Sequence, residues 1–148
     1  MDGTLCVWNA SLLLLNDSEG KSAAVAPEEA LLFTLPHISN HGPVVCLSWN
    51  KLEPWMIAAG TAHGQAYTIN LTTASQQQQS VESLWTLASR HGAEVTAVAW
   101  NSAVAHIVAT NSATDGTVVV WDTKAHQPWC ELRMPTSGGG GNGAALAW

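Results

Sequence analysis

The stretch from His91 to Asp122, HGAEVTAVAWNSAVAHIVATNSATDGTVVVWD, constrains this chain more than any other, because its parts recur along the sequence. It holds three short apolar runs, Val95–Trp100, Ile107–Thr110 and Thr117–Trp121. Each is rich in Val, Ile, Thr or Trp, the residue types that suit a pleated, half-buried strand. Asp115-Gly116 precedes the last run, and Gly supplies a positive φ there without steric cost. The first run and its trailing Asn appear as VVCLSWN at 44–50 and VTAVAWN at 95–101. The last run appears as DGTLCVWN at 2–9, HGQAYTIN at 63–70 and DGTVVVWD at 115–122. AALAW at 144–148 echoes AVAW at 97–100. A repeat of this kind buries its apolar faces by stacking on its neighbours.

A His-Gly opening and a Trp-Asp close around short strands are the signature of a WD-repeat propeller blade. The predicted fold is therefore all-β: a WD-repeat β-propeller fragment of about two complete four-stranded blades plus parts of two more. Residues 1–35 read as the end of a first blade, opening in mid-blade at Asp2–Asn9, with an acidic insertion over 10–29 and an outer strand at Leu31–Leu35. A helix beginning at Pro27 is the competing reading of the latter stretch, since Pro and early acids suit a helix start. Residues 36–87 read as the second blade, with strands Val44–Trp49, Met56–Gly60, Gln65–Asn70 and Leu84–Leu87 and a Gln-rich loop between the last two. Residues 88–134 are the third, closing with Trp129–Met134. Residues 135–148 are a Gly-rich link and the first strand of a fourth.

Composition bounds the function classes. Charged residues are only 11% of 148, against ~25% in ordinary soluble domains, which fits sheets covered on both faces. Five Lys and Arg face eleven Asp and Glu, a net charge of −6 without a basic cluster. Binding to nucleic acid or directly to an anionic membrane needs positive charge, so neither is expected. Cys6, Cys46 and Cys130 are an odd number with no C-x-x-C spacing, which argues against a disulfide framework or zinc site. No secretory leader follows Met1, and the longest early apolar run, Leu12–Leu15, is too short to span a bilayer. A cytosolic, reduced and unglycosylated chain is expected, in spite of three Asn-x-Ser/Thr matches.

His91, Thr110 and Asp115 superficially offer a base, a nucleophile and an orienting carboxylate. With Trp121 they fit better as a structural hydrogen-bond chain, in which the indole donates to the hydroxyl, the hydroxyl to imidazole, and imidazole to the carboxylate. The preceding repeat keeps His41 but has Ala59, His63 and Ile69 at the other three places, as a structural device tolerates and a catalytic site does not. No catalytic residue, cofactor or metal site is expected. His37, His63, His106 and His126 read as isolated turn or surface residues. Trp55, Trp85 and Trp129 are candidate partner contacts, with inter-blade packing the even alternative.

Finer features carry a resemblance. Ala99-Trp-Asn followed by Ala-His-Ile at 105–107, then Val-Trp-Asp-Thr-Lys at 120–124, a variable polar insertion near 73–82 and the insertion before Leu146 resemble the amino-terminal propeller of the larger subunit of the COPII outer coat. The resemblance covers nearly the whole chain but only part of that seven-bladed propeller. It implies a non-catalytic cytoplasmic scaffold, peripheral at endoplasmic reticulum exit sites and on COPII vesicles. It also implies pairing with the smaller outer-coat propeller subunit and other coat components, and contact with membrane only through the coat. A propeller from another cytosolic assembly, such as a ubiquitin-ligase substrate receptor, is the alternative, because fold alone does not fix function.

Overall fold

Ten strands account for the regular structure of the computed structural model, which describes residues 5–11, 30–35, 42–72, 84–87, 91–112, 114–134 and 145–148, without the side chains of Phe33, Leu35, Leu84 and Trp85. In chain order they are β1 (Leu5–Trp8), β2 (Leu31–Leu35), β3 (Val44–Trp49), β4 (Met56–Thr61), β5 (Ala66–Asn70), β6 (Leu84–Leu87), β7 (Ala97–Trp100), β8 (Ile107–Ser112), β9 (Thr117–Asp122) and β10 (Gln127–Arg133). They form one two-stranded sheet, β1-β2, and two four-stranded sheets, β3-β4-β5-β6 and β7-β8-β9-β10. Every ladder is antiparallel. Leu31–Leu35 is a strand, as preferred over a helix. The expected insertions at 12–29 and 73–83 and the link at 135–144 lie outside the described residues.

The repeats superimpose in register. Ile57 pairs with Ile69 across β4 and β5, and Val108 pairs with Trp121 across β8 and β9. Both pairs point back toward the preceding sheet. Ile57 and Ile69 pack against Leu5 and Val7 of β1, while Val108 and Trp121 pack with Val98, Trp100 and Val119 against Ala58, Ala66 and Leu87. Alternation along the strands then sends Ala58 forward where Ile57 goes back. Small residues on the forward face leave room for the large ones behind. Full burial of one Val, Leu or Ile is worth ~1.5–3 kcal/mol, so this interface dominates the stability of the stack.

Polar side chains close the turns. Asn50 Oδ1 accepts from the amides of Leu52 and Glu53, and Asn101 Oδ1 accepts from those of Ala103 and Val104. At the turn after the third strand of each repeat, Asn9 accepts from Ser11, Asn70 from Thr72, and Asp122 from Lys124 and Ala125. The Asp of the Trp-Asp pair is therefore a turn cap of the Asx type. The Ala125 amide in particular holds its carboxyl below the usual carboxylate range.

Contacts at both ends tie the second sheet to the third. Asn50 is fully buried and its Nδ2 donates to Ala105 O at 2.7 Å, across the sheet boundary. At the opposite end the Val95 amide donates to Thr61 O at 3.0 Å. Gly64 lies there with φ +80°, where a Cβ would stand 2.5 Å from His91 O, so only glycine permits this backbone approach.

One expectation changes. Residues 145–148 form no ladder; instead Leu146 packs on Ile107, Ala109 and Val120, and the Trp148 indole donates to Ala99 O at 3.0 Å. No strand among the described residues lies beside this segment to pair with it. Cys6 lies on the exposed side of β1, and Cys130 is exposed on the outer strand β10, which is open along most of its length. Cys46 is partly buried, its thiol donates to Val95 O, and burial pushes it up to about 11.

Asn50 and Asn101 close the same turn, but of the two side-chain amides the structure gives a bond across the sheet boundary to Asn50. Asn50→Ala is expected to lower stability by about 1–3 kcal/mol, clearly more than Asn101→Ala, in urea unfolding of the propeller containing these residues.

Candidate functional site

His91 sits ahead of β7 in the segment that leads into the third sheet, and the β8–β9 turn brings its partners to it. Asp115 and Gly116, the latter at φ 69°, turn the chain so that Thr117 starts β9 opposite Ser112. Thr110 in β8 and Trp121 in β9 both point toward the second sheet. The structure thus brings His91, Thr110, Asp115 and Trp121 together around one imidazole.

The bonds run in one direction. Trp121 Nε1 donates to Thr110 Oγ1 at 2.9 Å, and Thr110 Oγ1 is 2.8 Å from His91 Nε2. His91 Nδ1 is 2.7 Å from Thr117 Oγ1, and that hydroxyl donates to Asp115 Oδ1 at 2.5 Å. Thr117 has a single hydroxyl proton and gives it to the carboxylate, so it accepts from His91 Nδ1–H. Nε2 is then the unprotonated nitrogen and accepts from Thr110. Each donor in the series points toward Asp115, an arrangement in which hydrogen bonds polarise one another favourably. Asp115 also accepts from the amides of Thr117 and Gly92.

Thr117 is the member that sequence reasoning missed. The sequence reading joins imidazole directly to the carboxylate, whereas His91 Nδ1 stands 3.6 Å from Asp115 Oδ2 and the threonine hydroxyl intervenes. The signal was present: a Thr two residues after an Asp, across a Gly, is a local side-chain-to-backbone motif in which the carboxylate caps the following turn.

Burial lowers the affinity of His91 for a second proton, with Asp115 opposing the effect only in part. Burial alone would raise the Asp115 carboxyl, but the hydroxyl and amide of Thr117, the Gly92 amide and His91 together hold it below its usual value of 3.8. Thr110 is fully buried and Trp121 and His91 nearly so. A substrate atom therefore has no route to the hydroxyl that would have to act as nucleophile. In the preceding repeat Ala59 and Ile69 occupy the places of Thr110 and Trp121, both buried. His63 lies in the turn beside Gly42, and His41 falls outside the described residues.

Of the candidate partner contacts, Trp55 is 43% exposed in the β3–β4 turn and Trp129 is 71% exposed in β10, the outer strand. Trp85 lies in β6 opposite Thr68, with its side chain outside the described part. His106 and His126 lie in turns. Among the described residues no group of three or more His, Cys, Asp or Glu is placed to hold a metal ion. Nor is any helix there long and apolar enough to cross a membrane.

Two outcomes follow from the network. Thr110→Val keeps the shape of the side chain but leaves the buried Trp121 N–H and His91 Nε2 without partners; unfolding should show a loss of about 1–3 kcal/mol, and a cost near zero would remove the network from the account of stability. The pH dependence has a definite sign. The folded His91 binds its proton more weakly than the unfolded chain does, so stability should fall as pH drops below about 6.5. The Asp115 contribution is present above its ordinary value of 3.8 and should be lost as pH falls further, through the lower folded value. Chemical denaturation between pH 8 and 3 measures both, and His91→Gln should flatten the upper window.

Comparison with known proteins places the chain. The family described as "WD domain, G-beta repeat" matches residues 81–122, which contain the His91 network. "Protein transport protein SEC31" of Mycosarcoma maydis is 28% identical over 145 residues, 98% of this chain and 9% of that protein. The protein of the same name from Chaetomium globosum is 29% identical over 150 aligned positions, 99% of this chain and 10% of that protein. That from Dictyostelium discoideum is 25% identical over 84% of this chain and 9% of its own length. The chain thus spans about a tenth of the length of these relatives. Among solved structures, a chain of the "Crystal Structure of Mitotic Checkpoint Complex" is similar with a TM-score of 0.58 at 20% identity, over 88% of this chain and 31% of that one. The Cps50 (Swd1) beta-propeller domain of Myceliophteria thermophila is similar with a TM-score of 0.51 at 18% identity, over 64% of this chain and 25% of that one. The structural likenesses establish the fold as part of a β-propeller, residues 81–122 match one WD repeat, and the chain is similar to SEC31 over nearly its whole length.

Proposed function

We propose that the chain is part of a non-catalytic protein-interaction scaffold, a segment of the COPII vesicle outer coat acting in transport from the endoplasmic reticulum to the Golgi. The observation that carries this reading is the similarity to SEC31 transport proteins along 98% of the chain. In this reading the smaller outer-coat propeller subunit and other coat components are the partners of the full-length protein. Its place is cytoplasmic and peripheral at endoplasmic reticulum exit sites and on COPII vesicles, with membrane contact only through the coat.

The His91 network has a structural role in this reading. It joins the segment entering β7 to strands β8 and β9, and its hydroxyls, imidazole and indole are buried away from any substrate. The indoles of Trp55, Trp85 and Trp129 are proposed as partner contacts, since Trp is enriched among residues that dominate binding energy.

Affinity purification of the full-length protein from cell lysate is the test. Recovery of the smaller outer-coat subunit supports the assignment, whereas recovery of ubiquitin-ligase subunits with no coat component rejects it. His91→Gln in the same protein should lower thermal stability while leaving partner recovery intact at temperatures where the protein remains folded. A hydrolase activity abolished by Thr110→Ala would reject the non-catalytic role.

A further inference from the structure

A groove of about 260 Å³ opens where the β3–β4 and β7–β8 turns meet, at the end of the sheets opposite the His91 network, and Trp49, Lys51, Trp100, Asn101 and Trp148 line it. Trp49 and Trp100 hold the same place in successive repeats, and the Trp49 indole donates to Pro54 O at 2.6 Å within its own turn. The carbonyl in the corresponding place for Trp100 is Ala105 O, which already accepts from Asn50 across the sheet boundary. Trp100 Nε1 is buried and has no partner among the described residues. Leaving such a donor unpaired is costly unless something else supplies an acceptor.

The other groups at the groove lean the same way. Asn101 Oδ1 is committed to the amides of Ala103 and Val104, so its side chain offers only N–H donors to a ligand. Lys51 is exposed and adds an ammonium group. Of the acceptors, Ala99 O takes the Trp148 indole and the Ser48 hydroxyl takes the Trp100 amide. Trp49 and Trp148 present indoles that are 46% and 50% exposed. Their N–H groups are tied to backbone carbonyls, which fixes the rings and leaves apolar surface to be covered.

We propose that this groove docks an acidic segment of a partner protein. An Asp or Glu carboxylate of that segment meets Lys51 and the Asn101 amide, and a neighbouring apolar side chain covers the indoles of Trp49 and Trp148 beside Trp100. Charge complementarity at Lys51 and the Asn101 N–H donors select a carboxylate, and the two exposed indoles require more apolar surface than a small anion carries. The chain's net charge of −6 opposes long-range attraction of such a partner, so recognition depends on these short-range contacts. The proposal rests on the scaffold reading and specifies where on the scaffold a partner binds.

The test is titration of the full chain by calorimetry with an acetylated, amidated peptide of alternating Glu and Leu, and with its Gln-for-Glu counterpart. The Glu peptide should bind, and the Gln peptide should bind about tenfold or more weakly, as the loss of a charge-assisted hydrogen bond implies. Lys51→Glu should weaken the Glu peptide to a similar degree with an unchanged circular dichroism spectrum, while Leu132→Ala, exposed on the outer strand, should leave it unaltered. The Trp100 indole N–H resonance should move on binding. Absence of binding, equal affinity for the two peptides, an indifferent Lys51→Glu variant or an unmoved Trp100 resonance would each overturn the proposal. Displacement of the peptide by acetate at equal concentration would show a site for small carboxylates and overturn the protein-docking claim. Because recovery of coat components from lysate is measured separately, failure of the peptide with those components still recovered rejects the groove alone.

Discussion

An antiparallel sheet that is apolar on both faces cannot stand alone in water, and the contact between the β3–β6 and β7–β10 sheets is where this chain meets that requirement. The large residues lie on the backward face, Trp121, Val108, Val98 and Trp100, and the small ones on the forward face, Ala58 and Ala66. This inequality lets neighbouring sheets approach closely enough for backbone groups to bond across the boundary. Across that boundary Thr61 O accepts from the Val95 amide, and Gly64 lies against the His91 carbonyl. The His91 network depends on the same contact, since its indole, Trp121, is also the largest fully buried side chain.

The two four-stranded sheets solve one packing problem by different chemistry. In the third sheet a Thr and a Trp meet through a hydrogen bond inside the apolar interface; in the second, Ala59 and Ile69 take their places and need no partners. Replacing both members of a buried pair by apolar groups costs little, whereas replacing one strands the other. A repeat can therefore lose the network as a unit. That explains how the second sheet keeps its register and its backward-facing pair, Ile57 opposite Ile69, after the polar version is gone.

Much of this was legible in the sequence because apolar alternation, Gly turns and repeated Trp act locally. The runs at 44–49, 107–110 and 117–121 lie within β3, β8 and β9. Strand ends were less legible: β8 continues to Ser112 because Ser112 finds Thr117 across the ladder, a partner fixed by the length of the intervening turn. The outer strand begins at Gln127, ahead of the predicted Trp129: Gln127 and Pro128 pair with Asp122 and Trp121, and Trp129 is the extra residue of a bulge between Pro128 and Cys130. Thr117 was missed for a similar reason. The four-residue pattern accounts for both imidazole nitrogens on paper, and only the actual 3.6 Å gap to Asp115 shows that a hydroxyl stands between. The tail at 145–148 reads as a strand because it repeats AVAW, but a strand needs a ladder as well as a pattern.

The two ends of the stack differ in how their polar groups are disposed, and that difference bears on where recognition can occur. At the end that holds His91, donors and acceptors close on one another: indole, hydroxyl, imidazole, hydroxyl and carboxylate each have a bonded neighbour. A surface whose groups are already paired gains little from a partner, because each new bond must replace an old one. At the opposite end the cross-sheet bond from Asn50 takes the carbonyl corresponding to the one that serves Trp49, and the Trp100 indole has no bonded neighbour among the described residues. The bond that locks the sheets together thus lies beside an unmet donor and exposed apolar rings. The end of the stack that carries the cross-sheet asparagine is therefore also the end whose groups are not closed on one another.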